Sequence, residues 1–182
     1  MPPGTARKMD LLELYRSTDA LTVALYACAL AAAWCWVASL VTGNYSQVDR
    51  LWSILPVLYV FHFAAHGGFT DARLAVMTTL VVLWGTRLTY NFARKGGYRP
   101  GGEDYRWPEL QAVLGPVVFQ LMNATFVAPF QNLLLLLIAT PAYVASQSRA
   151  HPLTALDLVA ATLFLLFFAG ETVADQQQWR FQ

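Results

Sequence analysis

The chain has 182 residues, 57% hydrophobic and 13% charged, with a formal net charge of +1. Roughly 25% charged residues is usual for a soluble domain, so this composition, with apolar runs of membrane-spanning length, excludes one and indicates a single polytopic membrane bundle. No basic tract is interleaved with exposed aromatics, so no nucleic-acid partner is expected.

Residues 1–19 read as an N-terminal tail and 20–182 as a transmembrane helical domain. The tail mixes Arg7, Lys8 and Arg16 with Asp10, Glu13 and Asp19, whereas transit peptides avoid acids. The first apolar stretch, 21–41, reads as an uncleaved span. Its two cysteines, Cys28 and Cys35, stand roughly 10 Å apart along a helix, too far for a disulfide. The second stretch, 51–66, carries His62 and His66 at i, i+4. That spacing suits a metal pair, but core or interfacial packing is the better reading, and no metal is expected. The third, 72–92, has Arg73 and Arg87 near its ends.

The fourth stretch, 110–146, exceeds the roughly 20 residues one span needs. Pro129 and Pro141 should kink or break it. One kinked crossing is favoured over an extra helix followed by a span. His151-Pro152 precedes the fifth stretch, 153–173. Gly43-Asn44, Gly67-Gly68, Gly96-Gly97 and Pro100-Gly101-Gly102 punctuate the connections. The prediction is all-α, with about five spans.

With five crossings, the connection after the first span, the loop after the third and the C-terminal end share one side. Arg94, Lys95, Arg99 and Arg106 put that side in the cytosol, although the basic residues of the tail pull the other way. Three polar segments then converge on one face. In Gln47-Val48-Asp49-Arg50-Leu51-Trp52, Asp49 could orient or protonate a ligand; taken alone, the motif favours a helix cap. In the segment from Trp84 to Arg94, Trp84, Arg87, Asn91 and Arg94 form one helical stripe, either a snorkelling arginine with interfacial aromatics or the lining of a polar cleft. In the loop from Arg94 to Trp107, arginines among flexible glycines suit phosphate or anionic lipid, and Glu103 and Asp104 weigh against a purely lipid-binding loop. At the end of the chain, Glu171 and Asp175 lie i, i+4 on one helix face, continued by Gln178 and Gln182. Ionisable groups at the membrane end of an apolar helix are costly and point to function.

Together these segments resemble the steroid 5-alpha-reductase / DUF1295 membrane family, grouped with isoprenylcysteine carboxyl methyltransferases. Asp49-Arg50-Leu51-Trp52, Trp84-Gly85-Thr86-Arg87-Leu88, Arg94 with Gly96, Glu103-Asp104-Tyr105-Arg106-Trp107, and Glu171 with Ala174-Asp175-Gln176 carry the likeness, over roughly 44–182. The resemblance implies a multi-pass bundle, in the endoplasmic reticulum of a eukaryote or the inner membrane otherwise. It would bind NADPH from the cytosolic side and reduce a carbon–carbon double bond conjugated to a ketone in a sterol-like or other lipid substrate. By this likeness Asp49 would polarise the carbonyl, and Trp84 stands where steroid reductases have a tyrosine. Arg87 and Tyr90 would line the cleft. Arg94, Glu103, Asp104 and Arg106 would meet the cofactor, with Glu171 and Asp175 on its adenosine part. Gln182 stands where the family usually has a basic residue. Family members continue with an Arg-His-Pro-Asn-Tyr-like motif and further spans that supply much of the nicotinamide pocket, so this sequence is expected to lack one wall of the site. Two alternatives accompany the reductase: a non-catalytic structural member, and an S-adenosylmethionine-dependent methyltransferase.

Overall fold

The computed structural model describes residues 11–148 and 152–181. Arg7, Lys8, Asp10, His151 and Gln182 lie outside them. The described residues form helices and their connections only. The tail holds a short helix, α1 (Leu11–Ser17). The five apolar stretches follow as α2 (Ala20–Thr42), α3 (Leu55–His66), α4 (Ala72–Arg94), α6 (Pro116–Gln147) and α7 (Ala155–Phe181), with α5 (Arg106–Leu114) between α4 and α6. α2, α6 and α7 are each long and apolar enough to cross a membrane.

Their ends are set by local chemistry. Asp19 and Asp71 cap α2 and α4 by accepting the N–H groups of Thr22 and Leu74, satisfying donors a helix start leaves open. Gly43, at φ 63°, closes α2 in the left-handed region, where glycine pays no Cβ penalty. The long fourth stretch breaks at Gly115 and Pro116, where Gly115 has φ 76°, and not at either predicted proline. Pro129 follows a π turn, Asn123–Val127, a local widening of the kind that accommodates irregularities in a helical ladder. Pro141 lies inside the continuing helix. A single long helix remains, preceded by α5.

Successive long helices alternate in direction. His62 and His66 meet the start of α2 through Ala20 O at 2.9 Å and Thr18 O at 3.0 Å, so α3 runs back along α2. Tyr15 of α1 bonds His62 Nδ1 at 2.9 Å. These histidines fasten the tail to α3. α6 pairs with α2 in reverse order: Asn123 with Ser39, Asn132 with Cys35, and Tyr143 with Asp19. Small residues on that seam, Ala24, Ala128, Ala139 and Ala142, are buried and let backbones approach, as membrane helices require. Phe63, Phe119, Leu135 and Leu136 fill the centre. Cys28 and Cys35 are buried free thiols.

Leu30, Trp34, Ile138, Leu163, Leu166 and Phe167 are among many large apolar side chains left exposed on the helices. A surface this apolar suits lipid rather than water, and the protein is an integral membrane protein.

Candidate functional site at one end of the bundle

The segments 44–50, 94–107 and 171–178 gather at the same end, as the alternation of helices requires. The first two interlock. Arg50, in the 3₁₀ turn Asp49–Leu51, reaches into the glycine loop: Nε donates to Gly97 O at 3.2 Å and Nη2 to Gly102 O at 3.1 Å. Asn44 donates to the same Gly102 carbonyl at 2.9 Å. In return, Glu103 accepts the N–H of Tyr45 and Asp104 donates its N–H to Ser46 Oγ at 2.9 Å. Gly102 has no room for a side chain, since a Cβ there would lie 2.5 Å from Gly96 O. The loop is therefore tightly folded.

Asp49 caps no helix. Its carboxylate accepts Trp107 Nε1–H at 2.9 Å, while α3 begins after Ile54 with no side-chain cap and Pro56 in its first turn. Proline there removes a donor that would have needed a cap, which accounts for the failure of the cap reading. Asp49, Asp104 and Arg106 wall one pocket of about 330 Å³, together with Trp52, Ser53, Leu88 and Phe92. Arg106 grips Asp104 at 2.7 and 2.8 Å and holds its carboxyl below the usual range, with partial burial opposing. A second pocket, of about 260 Å³, shares Phe92 and Asp104 and adds Lys95, Glu103 and the loop glycines.

The remaining predicted residues form a different constellation, between α4 and α7. Arg87 Nη2 lies 2.7 Å from Glu171 Oε2, and Nη1 lies 2.9 Å from Asp175 Oδ2. The second approach is an ion pair by distance without hydrogen-bond alignment, and the buried Arg87 Nε has no partner. Asn91 donates to Asp175, Arg94 to Asp175 O and Gln176 Oε1, and Lys95 to Gln178 Oε1. Arg94 also lies between the rings of Tyr90 and Trp179, 5.6 and 4.7 Å from their centroids. Arg87 is therefore a paired ion rather than a snorkelling one, and the acids expected to face a cofactor face α4. Trp84 points elsewhere, into an apolar gap of about 210 Å³ shared with Val60, Ile138 and Phe164. Tyr90 is 63% exposed and lines a groove between α3 and α4. Among the described residues no cluster of three or more metal-ligating side chains occurs.

The clamp made by Arg50 and Asn44 escaped the sequence reading, as did the pairing of Trp107 with Asp49. The run from Asn44 to Arg50 signalled polarity, but only the folded loop shows where its donors go. Ser53, which with Leu88 completes the pocket, carried no sequence signal, and Leu88 entered only as the end of the 84–88 motif.

The sequence model of a family described as a protein of unknown function (DUF1295) matches residues 35–182. An uncharacterised protein of Schizosaccharomyces pombe is 39% identical over 176 residues, which cover 94% of this chain and 51% of that protein. The chain thus spans about half the length of this relative. No solved structure matches.

Proposed function

The chain belongs to the DUF1295 family, and from that premise we propose that it forms the lipid-embedded part of an NADPH-dependent reductase acting on a carbon–carbon double bond conjugated to a ketone in a lipid. One observation carries this reading: Asp49, Asp104 and Arg106 wall a single pocket with Trp52 and Phe92, at one end of an apolar bundle. A lipid enone needs such a place, apolar on one side and able to meet developing charge on the other.

The cofactor fits the residues in part. Glu103 and Asp104 are already satisfied by the Tyr45 N–H and by Arg106, so the exposed Arg99, with Lys95 if it leaves Gln178, would face phosphate oxygens near the glycine-walled pocket. The Nε of Arg94 is buried without a partner and offers another donor. Bound NADPH would supply the hydride. Arg106, beside Asp49, would stabilise negative charge developing on the ketone oxygen. Asp49, held by Trp107, would orient the polar end of the substrate. Trp52 and Phe92 would exclude water. Arg87, Glu171 and Asp175 take a structural part, joining α7 to α4 beside the site.

Titration of the purified chain with NADPH, followed by nicotinamide fluorescence, tests the reading. Saturable binding, weakened by Lys95→Ala and Arg99→Ala and not displaced by S-adenosylmethionine, is expected. Absence of saturable binding would remove the reductase reading for this chain. Tight S-adenosylmethionine binding in its place would favour a methyltransferase.

A further inference from the structure

A further cavity lies outside the mouth. Between α3 and α4 runs a groove of about 430 Å³, with Ile54, Leu58 and Val82 along its exposed, lipid-facing side. Ser53 is a wall both of this groove and of the pocket that holds Asp49 and Arg106. Its hydroxyl, almost fully buried, accepts Thr89 Oγ1–H at 2.7 Å. The lining changes in one direction along α4. It is aliphatic at Val82, mixed aromatic and ionic at Phe92 and Arg106, and polar at Lys95 and the loop glycines. That order matches a molecule with a hydrocarbon chain at one end and a polar group at the other.

The junction is narrow. A Cβ on Gly85 would stand 2.5 Å from Val57 Cγ2 and 2.7 Å from Ser53 O. The two helices therefore touch at this level.

We propose that the α3–α4 groove is a subsite for the flexible hydrocarbon chain of an amphiphile taken laterally from the bilayer, with its polar end directed past Ser53 into the mouth pocket. This rests on the reductase reading for the identity of the polar end, and it narrows the substrate class. Because α3 and α4 touch at Gly85, a flexible acyl or prenyl-type chain is favoured over a rigid fused-ring lipid.

The test is photolabelling of the full chain in lipid nanodiscs with two probes, a palmitic acid carrying a terminal diazirine and a cholesterol carrying a diazirine. The palmitic probe is expected to label peptides covering 54–58 and 82–93, to be competed by unlabelled palmitic acid, and to outperform the sterol probe there. Thr86→Trp, from an exposed position on the groove wall, should reduce that labelling about tenfold by filling the space, with NADPH binding unchanged. Leu58→Trp on the facing wall should do the same and replaces Thr86→Trp if that variant unfolds. Equal or stronger labelling of the groove by the sterol probe would overturn the proposal, as would labelling indifferent to both tryptophans. Loss of NADPH binding with groove labelling intact would remove the reductase reading and leave the chain subsite standing.

Discussion

The seam between α4 and α7 and the core formed by α2, α3 and α6 join helices in opposite ways. In the core, Phe63 and Leu135 are fully buried, and alanines bring the backbones together. α7 contains no buried residue among those described, and its closest contacts are polar: Arg73 with Asp157, Arg87 with Glu171, and Asn91 with Asp175. In each pair the two residues are 84 apart in sequence, so the helices run parallel in a single register. Lipid gives apolar helices little reason to prefer one neighbour over another, whereas a buried charge has only a few acceptable partners. Packing sets the shape of the core, and charge sets the register of α7.

Breaking the core should cost most. Phe63→Ala removes a fully buried ring and leaves a cavity, with an expected loss of about 3 kcal/mol. Reversible unfolding in mixed micelles would measure it. A loss no greater than that caused by trimming a lipid-facing side chain such as Leu166 would contradict the division between core and seam.

Breaking the seam should cost less and act locally. Arg87→Met strands two carboxylates, but Glu171 is half-exposed, so the cost falls below that of a fully buried pair, at about 2 kcal/mol. The expected signature is faster labelling of a cysteine introduced at Ala174, while the α2–α3–α6 core unfolds at an unchanged denaturant concentration. If core and α7 lose stability together, the two regions are one cooperative unit. The conservative Arg87→Lys keeps the charge but cannot reach two acids in a fork, and should give an intermediate accessibility.

A third kind of contact sits between these two. At the mouth, Trp107 donates to Asp49 across 58 residues of sequence. Asp49→Asn retains an acceptor oxygen and should keep the fold, whereas Asp49→Leu leaves the indole N–H unpaired, at a cost of about 1 kcal/mol. A ligand role for Asp49 beyond this pairing would appear as weaker substrate or cofactor binding in the stable Asp49→Asn variant.

How much of this was legible follows from the same distinction. Five helical stretches could be read because apolar runs of that length have few other uses. The convergence of Asp49, the glycine loop and Glu171 at one end followed from the alternation of helices. What the sequence could not show was who pairs with whom. Glu171 and Asp175 looked like free acids because their partner, Arg87, lies 84 residues away on a helix that periodicity alone cannot orient. Asp49 looked like a helix cap because a cap is local and Trp107 is not. The break at Gly115 went unread because Pro129 and Pro141 drew the expectation, although a π turn and a continuing helix absorb both.

The smallest expected effect is a pH dependence confined to the mouth. Arg106 donates two hydrogen bonds to Asp104 and depresses its carboxyl pKa relative to the unfolded chain. A depressed acid stabilises the fold fully above its unfolded value, near pH 4, and the contribution fades as pH falls through the lower folded value. The loop should therefore be indifferent to pH from 8 down to about 5 and loosen only in stronger acid. Amide exchange in residues 96–106 would follow it. Asp104→Asn should make that exchange faster at neutral pH and weaken its acid dependence, with α7 unaffected, because no bond of Asp104 reaches the seam. Loosening of α7 in step with the loop would instead tie mouth and seam into one titrating network.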